Sequence, residues 1–390
     1  MRYSSEVASN EAPSGRDVGD ELAKRNVLRR NISSAWSLLA ALLSVSAGLF
    51  APASVEGETR RPLEIYFIDV EGGQSTLIVT PEGHSLLIDT GWAGQGSGFE
   101  PGDPGAARDA NRIVAAARDA RITQIDYLLI THFHVDHDGG VRELSQLMPI
   151  RAFIDHSAPS AEADRVSPGT EQAYQAYLDI RRGGAHLQPR PGERLPLKDV
   201  EAIVVSSAGA TLTGPLGSAG ARNAGCPAQA TATRDPYENA RSTGIVVRYG
   251  KFRFLDVGDL TGQPLFDLVC PRNLIGPLDA YLVAHHGGPD VAVAETFAAL
   301  QPRIAIMNNG LSKGGARVTY EALHRVPDLE DVWQLHASTE AADANFSSRT
   351  IANLDESTAY WIKLVASADG SFRMFNQRTG EWKSYAPRSR

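Results

Sequence analysis

The chain has 390 residues, of which 42% are hydrophobic, and a formal net charge of −8. This length supports a large buried core and exceeds a minimal domain, although α/β hydrolase folds of about 250–300 residues often form a single domain. The acidic balance argues against duplex nucleic acid as a strong partner, because phosphate binding depends on lysine and arginine.

The N-terminal segment is typical of an export signal. Residues 33–53 carry no charged side chain, and four basic residues lie between positions 24 and 30. The apolar run from Trp36 to Ala51 is shorter than the roughly 20 residues that span a bilayer, and Ala51-Pro52-Ala53 fits a cleavage site. We predict a signal peptide over 1–53, a periplasmic or extracellular mature chain over 54–390, and no stable membrane span. An uncleaved anchor is the alternative.

Strands and helices alternate along the mature chain. The spacing of turn residues predicts three strands, which are followed by a helix over 106–120 and a buried strand over 125–130. Further elements are predicted as strands at 63–70, 75–80, 85–89, 151–155, 200–206, 244–249, 252–257, 280–284 and 303–307, and as helices at 141–148, 170–181 and 293–300. Residues 208–240 lack periodicity and predict a long irregular excursion beside the site. The tail, 359–385, predicts further strands.

Only two cysteines occur, Cys226 and Cys270, 44 positions apart. Neither has a second cysteine or a histidine at metal-ligand spacing, which excludes a zinc ribbon. In an oxidising compartment the two can pair, and buried free thiols are the alternative.

Metal-capable side chains follow four separate strands. The densest group is His132, His134, Asp136 and His137, and the other three elements contribute Asp89, Asp259 and the pair His285-His286. Three imidazoles and a carboxylate within six residues suit Zn²⁺, and Mn²⁺ or Fe²⁺ also accept such ligands. We predict a metal site where these strand ends meet.

The run Thr131-His132-Phe133-His134-Val135-Asp136-His137-Asp138-Gly139-Gly140 resembles the signature of the metallo-β-lactamase superfamily. Leu86 to Gly91, Val257 to Asp259 and His285 to Gly288 resemble its other site motifs, in the same order. The resemblance implies an α/β fold, a four-layer αββα sandwich, with two divalent ions along one edge. It also implies that a water bound between the ions becomes hydroxide and attacks the substrate.

A closer resemblance is to the ComEC/Rec2-related hydrolases. Phe67 to Ser75 is similar to their opening motif, with Glu71 in place of a glycine. Glu238 to Ser242 is similar to their N-N-x-S element, with Glu238 at the first Asn. This group lacks a third histidine for the first ion, and its resemblance implies that this ion is open to water or a substrate oxygen.

The superfamily resemblance also implies residue roles. One ion takes His132, His134 and Asp259, and the other takes Asp136, His137, Asp259 and one of the two late histidines. We prefer His286 as that ligand, which leaves His285 to face the substrate as a phosphate contact or proton donor. Asp89 orients a ligand histidine. The residues to which the resemblance assigns a catalytic role are Asp89, Asp136 and His285. Asp138 is expected to be solvated.

Two histidines remain candidates for a third ligand of the first ion, His156 and His186, and neither is favoured. The turn at Lys313 to Gly315 either lines the cleft or is an ordinary connection. The leading functional hypothesis is hydrolysis of a small or oligomeric phosphate ester, including nucleic-acid fragments. The alternatives are a lactam, lactone or thioester hydrolase, and a non-catalytic module that binds nucleic acid or cell-wall polymer.

Overall fold

The structure is a computed structural model, and it describes residues 61–94, 100 and 102–388. The predicted signal peptide lies outside these residues. None of the helices within the described ranges has the length and apolar character that a membrane span requires.

Seventeen strands form two mixed sheets within the described residues. In chain order the strands are β1 (Leu63–Phe67), β2 (Thr76–Val79), β3 (Ser85–Ile88), β4 (Ile125–Leu129), β5 (Ile150–Ile154), β6 (Ala185–Leu187), β7 (Glu201–Ser207), β8 (Ala210–Thr211), β9 (Gly244–Tyr249), β10 (Phe252–Asp256), β11 (Ala280–Leu282), β12 (Ile304–Met307), β13 (Asp331–His336), β14 (Ile351–Asn353), β15 (Ile362–Ala366), β16 (Phe372–Asn376) and β17 (Glu381–Tyr385). The nine-stranded sheet has the order β17-β16-β15-β1-β2-β3-β4-β5-β6, and the eight-stranded sheet has the order β14-β13-β12-β11-β10-β9-β7-β8.

Seven α-helices accompany the strands in the part of the chain that the structure describes. They are α1 (Arg108–Asp119), α2 (Val141–Leu147), α3 (Ala163–Val166), α4 (Thr170–Arg181), α5 (Gly262–Val269), α6 (Val293–Leu300) and α7 (Arg317–Leu323). Helix α1 shows why the elements form: Ile113, Val114 and Ala117 recur at helical spacing and are buried against the sheet. The predicted elements are confirmed, and their ends differ from the predicted ones by at most three residues.

Three apolar clusters define four layers. The largest lies between the sheets and takes alternate residues of each strand, such as Leu63, Ile65 and Phe67 of β1. The second packs α1, α2 and α4 on the outer face of the nine-stranded sheet, and the third packs α5, α6 and α7 on the outer face of the eight-stranded sheet. The predicted αββα sandwich is therefore confirmed.

The sheet topology positions the site. Strands β3, β4 and β5 are mutually parallel in one sheet, and β10, β11 and β12 are mutually parallel in the other. Parallel strands present their carboxyl ends at one edge of a sheet. Asp89, His132, Asp259 and His285 each follow one of these strands closely, so they reach the same edge of the sandwich.

The irregular excursion over 208–240 is confirmed, with only the short strand β8 and a 3₁₀ turn beginning at Asn239. It is fastened to the body of the fold. A disulfide joins Cys226 to Cys270, and Asn223 Nδ2 donates to the carbonyl oxygens of Val269 and Glu295 at 3.0 and 2.9 Å. The excursion is therefore held against the end of α5 and against α6.

Candidate metal centre

Asp89 supports the turn that carries the histidine cluster. It is fully buried, with a φ of +59°, and follows β3 directly. Its carboxylate accepts hydrogen bonds of 2.7 Å from the Thr131 backbone and from the Thr131 hydroxyl, and its Oδ2 lies 2.7 Å from His137 Nδ1. A non-glycine residue in this backbone region is strained and is retained where the surroundings hold it. Asp89 thereby directs His137 Nε2 into the site.

The Gly139-Gly140 pair explains how the cluster can fold so tightly. A Cβ at Gly139 would lie 2.2 Å from the Val135 carbonyl oxygen, and one at Gly140 would lie 2.4 Å from the Thr90 carbonyl oxygen. Both contacts involve backbone atoms, which cannot move aside cheaply. Only glycine fits here, and helix α2 begins immediately after the turn.

Four predicted ligands converge on one point. Atoms of Asp136, His137, Asp259 and His286 lie within 4.8 Å of one another, and all four residues are buried. His286 Nε2 lies 3.2 Å from an oxygen of Asp136, 3.2 Å from one of Asp259 and 3.3 Å from His137 Nε2. We call these residues the four-ligand group. Imidazole and carboxylate donors in this number fit a divalent ion such as Zn²⁺.

The other end of the site is made by His132 and His134. His132 Nε2 and His134 Nδ1 lie 3.0 Å apart, and His132 Nε2 lies 3.8 Å from Asp259 Oδ2. We call these two residues the histidine pair. The second oxygen of Asp259, Oδ1, is buried and has no hydrogen-bond partner among the described residues. A carboxylate that reaches both ends and keeps an oxygen unused fits a ligand shared by two ions.

The buried charges perturb one another. Burial disfavours the charged form of His137, but the carboxylates of Asp259, Asp136 and Asp89 raise its pKa well above the ordinary value. Burial lowers the pKa of His132 well below its ordinary value, and His137 and His134 lower it further. The imidazole of His132 is therefore neutral, which is the form that binds a metal ion.

His285 and His286 occupy a sharp turn after β11. Both have a φ near +50°, at 50° and 52° respectively, so successive side chains point in different directions. His286 is buried in the four-ligand group, whereas the side chain of His285 is 25% exposed. His285 Nδ1 lies 2.7 Å from Asp290 Oδ1, and its Nε2 lies 3.9 Å from Asp259 Oδ2. His286 thus joins the four-ligand group, and His285 is the more exposed of the two histidines.

Neither candidate for a third histidine reaches the histidine pair. His156 Nε2 lies 2.9 Å from Glu238 Oε1, and His186 Nε2 lies 2.9 Å from Asp155 Oδ2 in a network with Arg181 and Tyr177. Glu238 also accepts the Phe133 backbone N–H at 3.0 Å and the Ser160 backbone N–H at 2.6 Å. Glu238 therefore fixes the backbone of the histidine turn at Phe133.

The sequence analysis missed two residues of the site, Asp235 and Asp290, and left the role of a third, Lys313, undecided. Asp235 Oδ2 lies 3.3 Å from His134 Nε2, and Asp290 holds His285 as described above. Lys313 contacts the carboxylate of Asp136 directly. Asp235 lies in the irregular excursion and Asp290 in a loop, so no strand-end signal marks them. The Lys313 turn was a candidate, and the structure places it at the cleft.

Asp138 corrects one expectation. Sequence reasoning predicts a solvated carboxylate, but the residue is only 2% exposed, and neither carboxylate oxygen has a hydrogen-bond partner among the described residues. Burial raises its pKa well above the ordinary value. The tight turn before α2 forces this side chain inward, an effect that the motif pattern does not reveal.

One family model covers the part of this site that lies in the first half of the chain. A sequence model of the metallo-beta-lactamase superfamily matches residues 68–219, which include the histidine cluster. A search of curated proteins found no match.

Several solved structures resemble the chain. A mutant of the CmlA β-hydroxylase is 16% identical over 70% of this chain and 52% of its own, with a TM-score of 0.42. This chain thus spans about half the length of that protein. YhfI from Bacillus subtilis, a metallo-beta-lactamase fold protein, is 11% identical over 70% of this chain and 96% of its own, with a TM-score of 0.41. Tm1679, a metal-dependent hydrolase of the beta-lactamase superfamily, is 14% identical over 70% and 95%, with a TM-score of 0.39.

Proposed function

We propose that this metallo-β-lactamase-fold metallohydrolase acts on phosphodiester-type substrates, including nucleic-acid-derived fragments. The fold and the metal-capable cluster are the premises. The substrate class and the resemblance to the ComEC/Rec2-related hydrolases go beyond these premises and are part of the proposal.

The observation that carries the proposal is the open histidine pair. Among the described residues, the two remaining candidate histidines are bound to Glu238 and Asp155, so no third imidazole closes this end. The ring nitrogen of His134 that faces away from His132 lies 3.3 Å from Asp235 Oδ2. That leaves one side of the pair for an oxygen ligand. The non-bridging oxygens of a phosphodiester are suitable donors for such a position.

The imidazole and carboxylate donors suit two Zn²⁺ ions, and Mn²⁺ or Fe²⁺ also accept them. Two such ions would lower the pKa of a bound water and neutralise charge that develops on the phosphoryl group. The residues of this chain have separate tasks. Asp259 reaches toward both ends, and Asp89 fixes the tautomer and direction of His137. Such outer partners keep a ligand imidazole in place, and their loss typically costs about 10–100-fold in metal affinity or activity.

His285 is positioned to contact the substrate. Asp290 holds its Nδ1 at 2.7 Å, and Asn239 Nδ2 lies 3.4 Å from its Nε2. The Asn239 amide belongs to the element that resembles N-N-x-S, which supports a role for that element at the cleft. In its protonated form, an imidazole held at Nδ1 by a carboxylate can donate through Nε2 to a phosphate oxygen or to the leaving oxygen.

Export of the mature chain is part of the proposal. The support for it is the charge-free segment 33–53 in the sequence and the disulfide between Cys226 and Cys270. Disulfides persist in oxidising compartments such as the periplasm or the extracellular space.

The test is a substrate screen on the purified mature protein loaded with Zn²⁺ or Mn²⁺. Bis-p-nitrophenyl phosphate, nitrocefin and a lactone are assayed side by side, with the His134→Ala variant as the inactive control. We expect hydrolysis of the phosphodiester and its loss in the control. Activity on nitrocefin or the lactone alone would contradict the proposal and favour acyl chemistry. Absence of all three activities in a protein that binds metal would favour a binding module.

A further inference from the structure

A short turn after β12 brings a lysine to the cleft. Lys313 precedes Gly314 and Gly315, and its carbonyl oxygen accepts the Gly310 backbone N–H at 2.8 Å, which closes the turn. Gly314 has a φ of +70°, and a Cβ there would lie 2.5 Å from the His286 side chain and from its carbonyl oxygen. Because only glycine permits this approach, the turn packs directly on a residue of the four-ligand group.

The ammonium group of Lys313 has three partners. It contacts the Asp136 carboxylate, it donates to the Gly72 carbonyl oxygen at 2.7 Å, and it lies 5.1 Å from the centre of the Trp92 ring. The lysine side chain is 40% exposed. The group is therefore anchored at the rim of the site by a backbone oxygen and an aromatic face, while it remains open to solvent.

A purely structural ion pair with Asp136 would explain the contact in part. However, Asp136 belongs to the four-ligand group, and its carboxylate is the donor that this group offers to a metal ion. Lys313 and His286 Nε2 contact the same oxygen of Asp136, Oδ2, so a metal ion bound by that oxygen would compete with the ammonium group for it. Gly72 and Trp92 do not bind the metal, so they keep Lys313 at the rim whether or not Asp136 is engaged.

The charge of the cleft bears on how this lysine affects substrate binding. Asp136, Asp259, Asp235 and Asp290 all lie at or beside the site and are nearly buried. Two divalent ions would offset these four carboxylates, and a cation at the rim adds attraction for an anionic substrate and raises the local concentration of anions. A lysine ammonium is a compact charge with three donors, which suits a phosphate oxygen.

We infer that Lys313, with Trp92 and the Gly72 carbonyl oxygen as its supports, forms a subsite that binds an anionic oxygen of the substrate. This inference rests on the proposed phosphodiester activity and adds a determinant of specificity to it. Lys313 selects the charged diester over an uncharged analogue of the same shape.

A matched pair of substrates tests the subsite. Bis-p-nitrophenyl phosphate carries one negative charge, and its methyl triester carries none while presenting the same leaving group. We expect Lys313→Met to raise KM for the diester by about 10–100-fold, since a charge-assisted hydrogen bond is worth about 1.5–3 kcal/mol. For the triester we expect KM and kcat to stay within about twofold. Lys313→Arg keeps the charge and should preserve most of the preference for the diester.

Two further measurements separate binding from catalysis. Calorimetry with inorganic phosphate should show weaker binding to Lys313→Met than to the native enzyme, whereas the bound metal per chain should be unchanged. Lys198→Met is the matched control, because Lys198 is 64% exposed and pairs only with Glu82 in the described part of the chain. The control should behave as the native protein in every assay.

The inference fails if Lys313→Met slows the diester and the triester equally, or if it loses metal, since either result assigns the lysine a structural role. It also fails if phosphate binds the variant as tightly as the native protein. A native enzyme that hydrolyses neither phosphate ester overturns the proposed function instead. In that case weaker phosphate binding by Lys313→Met still supports an anion subsite, and unchanged binding overturns it.

Discussion

The two ends of the metal centre are built differently. At the four-ligand group, Asp136, His137, Asp259 and His286 converge within 4.8 Å from three separate elements. The histidine pair has only His132 and His134, two residues apart on one turn, with Asp259 as its shared neighbour. An ion held by more converging protein donors binds more tightly. We therefore expect the four-ligand group to bind the tighter ion and the histidine pair to bind the more exchangeable one.

The largest effect is expected for the residue common to both ends. Asp259→Ala should lower the rate on the proposed substrate, bis-p-nitrophenyl phosphate, by at least about 10³-fold and release both ions, because each end loses a donor. The fold should survive, which circular dichroism checks. Asp179→Ala, at an exposed ion pair with Arg182, is the control and should keep full activity and metal. Full metal content in Asp259→Ala would refute a shared ligand.

Variants that change a ligand at only one end of the metal centre should distinguish the two ions by their metal content. His134→Ala should lose the weaker ion and keep the tighter one, whereas His286→Ala should impair the tighter one. Both should reduce activity by about 10²–10³-fold, since hydrolysis requires both ions. Metal analysis after dialysis against a weak chelator measures the difference. Equal losses of metal in the two variants would remove the distinction between the ends.

A smaller effect is expected at Asp235, which faces the far nitrogen of His134 at 3.3 Å. Asp235→Asn should weaken the ion at the histidine pair by about 10–100-fold, the usual cost of losing an outer partner of a ligand imidazole. The tighter ion should be unaffected. Competition with a chromophoric chelator measures both affinities, and a weakened tighter ion would show that Asp235 acts on the whole site.

The smallest effect concerns stability and pH at Asp256. This carboxylate accepts from Gln74 Nε2 at 3.0 Å and from the Gly258 N–H at 3.0 Å, and burial raises its pKa to about 7. Its pKa in the unfolded chain is about 3.9. The folded state therefore binds the proton more tightly, and this group makes the metal-free protein lose stability as pH rises from about 4 to 7.

The Asp256→Asn variant removes that titration. In the metal-free protein, the free energy of unfolding of the variant should fall less than that of the native chain over this pH window. Urea denaturation at several pH values, with a chelator present, measures the two slopes. Parallel slopes would show that Asp256 does not titrate in the folded state.

Much of the fold and part of the site could be predicted from the sequence. The alternation of apolar and polar residues, together with the turn residues, predicted most of the strands. The motif from Thr131 to Gly140 predicted the cluster of metal ligands. Helices α3, α5 and α7 and strands β6, β13 and β14 were missed, and all of them are eight residues or shorter, which leaves little room for a repeating pattern. Asp235 and Asp290 were missed for another reason: their contacts with His134 and His285 depend on how loops fold back over the sheet edge, and sequence spacing carries no such information.

Anomalous diffraction from crystals loaded with Zn²⁺ tests the two-metal site most directly. The account predicts two peaks about 3.5–4 Å apart, one at the four-ligand group and one at the histidine pair, with Asp259 between them. At limiting zinc, the peak at the four-ligand group should be the stronger. A single peak at saturating zinc, or a stronger peak at the histidine pair, would contradict the account.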